Sequence, residues 1–202
     1  FTKLSTSQVE SLTATQVRAI SSQNISYLGT DQIQALNTNA VNGLATNQFT
    51  QLTTGQIKAL STQQMQALTA TQVTAMTTTQ AGALSADQLS ALGVSALNAV
   101  SRFNIEALST STIAALETSV IRSLSNTQIS AFTTSQLGAL ADEQVKSITS
   151  SQFNAFNVRN FSQLSGSQLQ AIDVSTFSAI SSSLIAYLTK EQVPSLTLNQ
   201  VA

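Results

Sequence analysis

The chain has 202 residues, of which only 8% are charged, and its formal net charge is −1. Such a surface offers no long-range attraction to nucleic acid or to an anionic membrane. Because the chain contains no His and no Cys, disulfides, thiolate metal sites and the commonest general base of enzymes are excluded. No apolar run approaches the roughly 20 residues of a membrane span. We therefore expect no nucleic acid partner, no membrane insertion, no cofactor and no enzymatic activity.

One eight-residue repeat, the octad, runs along the chain from beginning to end. A large apolar residue recurs every eight positions from Leu4 to Leu196 (position a), and another apolar residue lies five positions after each of them, from Val9 to Val201 (position f). Position b is mostly Ser or Thr, position e mostly Gln and position h mostly Ala. The octad reads L-[ST]-x-x-Q-[VIL]-x-A, and about 25 copies follow one another without insertion or deletion. This continuity predicts a single uninterrupted array over residues 1–202.

The period of eight restricts the backbone that the octad can form. A continuous α-helix advances about 100° per residue, so its apolar stripe would drift by about 80° per octad and wind around the helix. In a continuous strand, positions a and f would face opposite sides, because they are an odd number of residues apart. One long helix is therefore excluded, whereas a β-solenoid with a corner in every octad remains an alternative.

The side chains of the octad favour short helices. Ser or Thr at b with Gln at e forms a capping box, in which the hydroxyl accepts from the backbone amide at e and Gln returns to the backbone amide at b. In residues 61–76, Ser61 and Thr69 are such caps, and Gln64 and Gln72 are their partners. The apolar residues at a and f match a hydrophobic staple around the cap. We predict an all-α solenoid of about 25 two-turn helices, one per octad.

Charged residues give independent support for helices. Acids fall mostly in the predicted first turn and bases mostly near the predicted end, as the helix dipole favours. The acids at b, c or d are Asp31, Asp87, Glu117, Asp142, Glu143, Asp173 and Glu191, and the bases at g are Arg18, Lys58, Arg122 and Lys146. A β-solenoid predicts no such polarity.

The number of octads in one turn of the solenoid is indicated by departures from Ala at position h. Three pairs of departures are 24 residues apart: Tyr27 with Gln51, Ser123 with Ser147, and Gln163 with Tyr187. This spacing favours three octads per turn, with two or four as alternatives. Pro194, at position g, removes a backbone donor inside a predicted helix, so we expect its octad to be distorted.

Few residues depart from the octad in a way that indicates a binding site. The adjacent acids Asp142 and Glu143 are accounted for by the helix dipole. Most aromatic residues lie at a or f and are expected in the core. Tyr27 and Tyr187 at position h and Phe103 at position d do not, so we interpret these three as candidate contacts for a partner.

The octads "LSTQQMQAL", "LTATQVTAM" and "LSADQLSAL" resemble the octapeptide repeat arrays of very large bacterial adhesin-like and surface-associated proteins. The resemblance covers essentially the whole chain, and it implies an extended structural role at the cell surface, outside the cell. On that basis we interpret the chain as a stalk, spacer or filament subunit. Neither end carries the polar cap that usually covers the core of a solenoid, so we expect the chain to be a segment of a longer array or to stack its ends on another molecule. Its partners would be other copies or flanking repeats, stacked end to end. The alternative is a multivalent module that binds glycan or protein through its neutral Ser, Thr, Asn and Gln side chains.

Overall fold

A computed structural model describes residues 3–201 and confirms the all-α solenoid. In the described part of the chain, 24 short α-helices and one 3-10 turn follow one another, and no strand occurs. The chain divides into two compact units, Phe1–Leu108 (unit 1) and Ser109–Ala202 (unit 2). The continuity of one array over residues 1–202 stays a prediction.

The described residues of unit 1 form thirteen helices, one in each octad: α1 Thr6–Glu10, α2 Ala14–Arg18, α3 Ser22–Ser26, α4 Thr30–Ala35, α5 Thr38–Asn42, α6 Thr46–Phe49, α7 Thr54–Ala59, α8 Thr62–Gln66, α9 Ala70–Thr74, α10 Thr78–Ala81, α11 Ala86–Ser90, α12 Val94–Asn98 and α13 Arg102–Ala107. Unit 2 continues the series in its described residues: α14 Thr110–Ala114, α15 Thr118–Ser123, α16 Asn126–Ile129, α17 Thr134–Gly138, α18 Asp142–Ser147, α19 Ser150–Phe153, α20 Val158–Phe161, α21 Gly166–Ala171, α22 Val174–Ser178, α23 Ser182–Ile185, the 3-10 turn Val193–Ser195, and α24 Leu198–Val201.

The helices are shorter than the two turns expected, because two residues of each octad leave the helical conformation. At the junction of α4 and α5, Leu36 at position a has φ −58° and ψ 128°, and Asn37 at position b has φ −68° and ψ 160°. This extended pair redirects the chain into the next helix. No described residue, glycine included, has a positive φ, so the junction does not need glycine. The octad can therefore place Ser or Thr at every junction.

Within each unit, helices pack on helices three octads away, which confirms three octads per turn. In unit 1, α1, α4, α7, α10 and α13 form one column, α2, α5, α8 and α11 a second, and α3, α6, α9 and α12 a third. In unit 2, α15 packs on α18 and α18 on α21 in the same way. Helices of four to six residues are too short to be stable alone, so these column contacts must stabilise them.

Positions a and f form the core, as predicted. Every a residue from Ile20 to Ile180 and every f residue from Val9 to Phe177 is buried. Burial of one such apolar side chain contributes about 1.5–3 kcal/mol. Position h is mostly half-buried, and positions c, d and g are mostly exposed. The solenoid thus has an apolar interior and a polar outer surface.

The octad that contains Pro194 is distorted, as expected. Residues 190–192 form a turn in place of the first helical turn, and Val193–Ser195 is a 3-10 turn with Pro194 at its second position. The missing N–H of proline removes the α-helical hydrogen bond that this position would otherwise make. This is the one octad between α1 and α24 whose helix is not α-helical.

A close approach of two turns in unit 1 gives a testable prediction. A Cβ added at Gly43 would lie 2.6 Å from Ala14 Cβ and 2.8 Å from Ala14 Cα, whereas a Cβ added at Gly138 in α17 would meet nothing within 4 Å. We expect Gly43→Ala to destabilise the fold by about 1–3 kcal/mol through overpacking. Gly138→Ala should stabilise it by up to about 1 kcal/mol through helix propensity. Urea denaturation followed by circular dichroism at 222 nm would measure both, and equal effects would contradict the close approach.

Candidate functional site

The side-chain amide oxygen of Gln at position e accepts a hydrogen bond within its own octad. In α8, Gln64 Oε1 accepts from the Ser61 backbone N–H at 2.8 Å, and Ser61 Oγ accepts from the Gln64 N–H at 3.2 Å. This is the predicted capping box, and among the described residues it occurs in seven octads of unit 1 and in five of unit 2. Where position b is Gly29, Ala45 or Ala141, only the bond from the backbone N–H to Gln remains, because these residues have no side-chain acceptor.

The NH₂ group of the same amide donates to carbonyl oxygens of the preceding turn of the solenoid. Gln64 Nε2 donates to the carbonyl oxygens of Ile33 at 2.8 Å and Leu36 at 2.7 Å, which lie 31 and 28 residues earlier. Gln64 is only 2% exposed, so the amide makes these bonds away from water. We call this pair of bonds a rung. The same rung is made by Gln48, Gln56, Gln72, Gln80 and Gln88 in unit 1 and by Gln144, Gln152, Gln168, Gln192 and Gln200 in unit 2.

The rungs were not predicted from the sequence, where Gln at position e was assigned only to the cap. A signal for them was present at position e, where Gln, Asn and small or apolar residues occur but never Glu. Glu is as suitable as Gln for a capping box. An ionised Glu can only accept, whereas the amide of Gln can both accept from the cap and donate to carbonyl oxygens, so the exclusion of Glu indicates a second, donating role.

Some octads without Gln use a shorter or displaced amide. Asn104 and Asn160 donate to the position a carbonyls of Met76 and Phe132. Where position e is Ala40, the amide moves to position b: Asn37 accepts from the Ala40 N–H through Oδ1 and donates to the Leu12 carbonyl through Nδ2, both within 2.9 Å. The donor to the preceding turn is therefore kept even when its position changes.

The three predicted contact residues are exposed, and the two in unit 1 lie in different columns. Tyr27, Phe103 and Tyr187 are 57%, 59% and 58% exposed. The Tyr27 hydroxyl accepts from Gln23 Nε2 at 3.0 Å, and the Arg102 guanidinium lies 5.1 Å from the centre of the Phe103 ring. Within unit 1, Tyr27 follows α3 in the third column and Phe103 lies in α13 of the first column. Tyr187 lies in unit 2. Their contact with a partner stays a prediction.

The charges follow the helix dipole in the way that the sequence predicted. Asp31, Asp87, Asp142 and Glu143 lie in first turns, and Arg18, Lys58, Arg122 and Lys146 lie in last turns. Two ion pairs occur between described residues, Arg102–Glu106 at 3.4 Å and Lys190–Glu191 at 3.6 Å, and both are exposed. Such surface pairs contribute little to stability. Residues 3–201 contain no group of three or more potential metal ligands.

One carboxylate, Asp173, has a clearly shifted pKa. Hydrogen bonds from the Ser175 hydroxyl and from the Thr176 backbone N–H and hydroxyl lower the pKa of Asp173 to about 2. Asp173 is the N-cap of α22, so the ionised carboxylate accepts from the free amides of a helix start. The shift is explained by capping and needs no catalytic role.

This cap predicts a pH effect on stability. Because the folded pKa is depressed, the contribution of Asp173 is fully present above the unfolded-chain pKa of about 3.9 and is lost as pH falls toward 2. Asp173→Asn should remove this pH dependence and keep the cap, whereas Asp173→Ala should cost about 1 kcal/mol at pH 7. Urea unfolding of the three chains between pH 2 and 7 measures this. An Asn variant with the slope of the parent chain would contradict the assignment.

The outer surface of unit 1 carries a groove of about 450 Å³ that crosses three turns. Its exposed lining includes Glu10, Gln34, Thr38 and Gln63, of which only Glu10 is charged. Amide and hydroxyl groups of this kind form hydrogen bonds with sugars and peptides alike, so the groove does not identify a ligand. No helix among the described residues is long and apolar enough to cross a membrane.

Comparison with known proteins finds one family. The ALTTAQ repeat matches residues 1–38, 28–62, 41–78, 105–142 and 113–150, which together cover more than half of the chain. No curated protein matches the sequence. The overlapping matches agree with an array of repeats.

Proposed function

The chain belongs to the ALTTAQ repeat family, and we propose that it is a non-enzymatic structural repeat protein that forms a stalk, spacer or filament subunit at the bacterial cell surface. The observation that carries this proposal is the rung. Because each turn bonds to the preceding turn through the same amide, the fold can lengthen by adding turns without any new kind of contact. Each turn would add about 8–10 Å, the distance between packed helices.

The use of the polar groups supports a structural rather than a catalytic role. The Ser and Thr hydroxyls at position b accept from backbone amides as helix caps, as Ser61 and Thr69 do. Six of the nine acidic residues lie at N-caps or in first helical turns, where the dipole stabilises them. These position b hydroxyls are thus engaged at the junctions of the solenoid. We propose other copies of the chain, or flanking repeats, as its partners through end-to-end stacking.

Electron microscopy of the purified chain and of the native material tests the proposal. We expect linear particles that join end to end, with a length that grows with protein concentration. Antibody labelling of intact source cells, compared with permeabilised cells, tests the surface location, and we expect the intact cells to be labelled. Discrete particles of one length at all concentrations, or labelling only after permeabilisation, would contradict the structural role at the surface.

A second candidate is a multivalent binding module for glycan or protein. The exposure of Tyr27, Phe103 and Tyr187 favours it, since aromatic side chains are enriched at binding surfaces. Replacing all three with Ser and measuring retention of glycans or of a surface protein tests this role. Loss of retention with an unchanged circular dichroism spectrum would support binding, and unchanged retention would remove the three residues from the interface.

A further inference from the structure

One of the position a carbonyls of unit 1 differs from the others in its hydrogen bonding. From Leu4 to Met76 there are ten such carbonyls, and nine of them accept an N–H from a side-chain amide of the next turn. The exception is Leu68, whose carbonyl accepts from no described side chain. Leu68 is only 5% exposed. The position a carbonyls one octad before and one octad after it, those of Leu60 and Met76, accept from Gln88 and Asn104.

The cause lies in the octad that faces Leu68. Its position e is Ala96 and its position b is Gly93, so neither of the two positions that supply an amide elsewhere carries one. At Ala40 the same loss is compensated by Asn37, but glycine has no side chain with which to do so. A Cβ added at Gly93 would meet nothing within 4 Å, so there is open space beside this octad. Ala96 itself is buried.

We propose that ordered water binds between Ala96 and Leu68, where it donates to the Leu68 carbonyl in place of a glutamine amide. The other octads show what this position requires, because Gln64, Gln72, Gln80 and Gln88 each place two N–H donors there. Replacement of Gln by Ala removes the amide group and the methylene that carries it, and that volume accommodates a water molecule. Water supplies two donors and leaves no buried acceptor unpaired. This inference is independent of the function proposed above.

Two variants of the full chain distinguish the effect of the hydrogen bond from the effect of filling the space beside Ala96. Ala96→Gln brings back the amide, so it should displace the water and form the rung to Met65 and Leu68. Ala96→Met has nearly the same length and displaces the water without supplying a donor. Ser95→Gln, one residue earlier at exposed position d, is the control for adding Gln to this helix.

The measurement is amide hydrogen exchange of residues 93–100, together with a crystal structure of the parent chain. We expect Ala96→Gln to slow exchange in this octad by a factor of about 5–10, the effect of one added hydrogen bond. Ala96→Met should exchange faster than Ala96→Gln by at least that factor, and Ser95→Gln should match the parent. The crystal structure should contain water within hydrogen-bond distance of the Leu68 oxygen.

Three outcomes would overturn the proposal. Equal protection in Ala96→Gln and Ala96→Met would mean that packing alone matters at this position. A crystal structure in which a protein side chain bonds to the Leu68 carbonyl would remove the water site. Saturable protection of residues 93–100 by added propionamide in the parent, absent in Ala96→Gln, would assign the site to a primary amide from another molecule.

Discussion

Gln64→Glu is expected to destabilise the fold by about 3–5 kcal/mol at pH 7, although it exchanges one NH₂ group for one oxygen. The carboxylate can still accept from the Ser61 N–H, so the capping box survives. The carbonyl oxygens of Ile33, Gln34 and Leu36, which now accept from the amide within 3.2 Å, would instead face a negative charge that is buried. The variant therefore separates the rung from the cap.

The loss should depend on pH with a defined sign. Burial against three carbonyl oxygens disfavours the charged form, so the introduced carboxyl should have a raised pKa. Between its unfolded and folded pKa values, the introduced carboxyl is protonated in the folded chain and ionised in the unfolded chain. The stability of Gln64→Glu should be greatest below the unfolded pKa of about 4.3, fall as pH rises toward the folded pKa, and stay low above it.

Gln63→Glu is the matched control. Gln63 precedes Gln64 in α8, lies at exposed position d, and undergoes the same change of charge. Its unfolding free energy should stay within about 0.5 kcal/mol of the parent at pH 7. Urea unfolding at pH 3.5 and pH 7, with hydrogen exchange to locate the effect, measures both variants. A Gln64→Glu chain as stable as Gln63→Glu would refute the structural importance of the rung.

Phe153→Ala is expected to cost about 3–5 kcal/mol in unit 2. Phe153 lies at position f of α19 and is fully buried. Its ring contacts Phe156 with centroids 5.9 Å apart and Phe161 with centroids 6.5 Å apart, both edge to face. Truncation leaves a cavity and removes both aromatic contacts, each of which is worth about 0.5–1.5 kcal/mol beyond the area buried. A single side chain, that of Phe153, thus contributes a large share of the stability around the four-residue helix α19.

Two further variants calibrate this loss. Phe153→Leu introduces the residue that occupies position f in α17 and α21, so it should cost less than the Ala variant, about 1–2 kcal/mol. Phe103→Ala removes an exposed ring at position d and should change stability by less than about 0.5 kcal/mol. Thermal and urea unfolding of the three chains tests the ranking. A Phe103→Ala loss as large as that of Phe153→Ala would show that exposure at position d does not predict a small effect.

Much of the local structure could be read from single octads. The hydroxyl at Ser61 and the amide at Gln64 are three residues apart, and a capping box needs no information beyond that spacing. Phe153 could be assigned to the core because position f is apolar in every octad. The distortion of the octad at Pro194 could be predicted from one property of that residue, its missing N–H.

The candidate site was less predictable, because it depends on groups that are distant in the chain. The oxygen that Gln64 Nε2 reaches belongs to a residue 28 positions earlier, and a backbone carbonyl has no signature in the sequence. In the sequence, Asn37 and Ala40 look like two unrelated departures from the octad. Their connection is visible only in the fold, where Asn37 donates to the Leu12 carbonyl. Likewise, Ala96 differs from Ala40 only in what its position b neighbour can donate.

The sequence by itself thus determined the octad, the short helices, their caps, the apolar core and the neutral outer surface, since the residue pattern that predicts each of them lies within about eight residues. Only the tertiary structure decided which helices pack together, that position e is buried, and that its amide joins successive turns. The physical reason is that a buried hydrogen bond is fixed by the direction and solvent access of both partners. In this chain the two partners meet only after three octads have closed one turn.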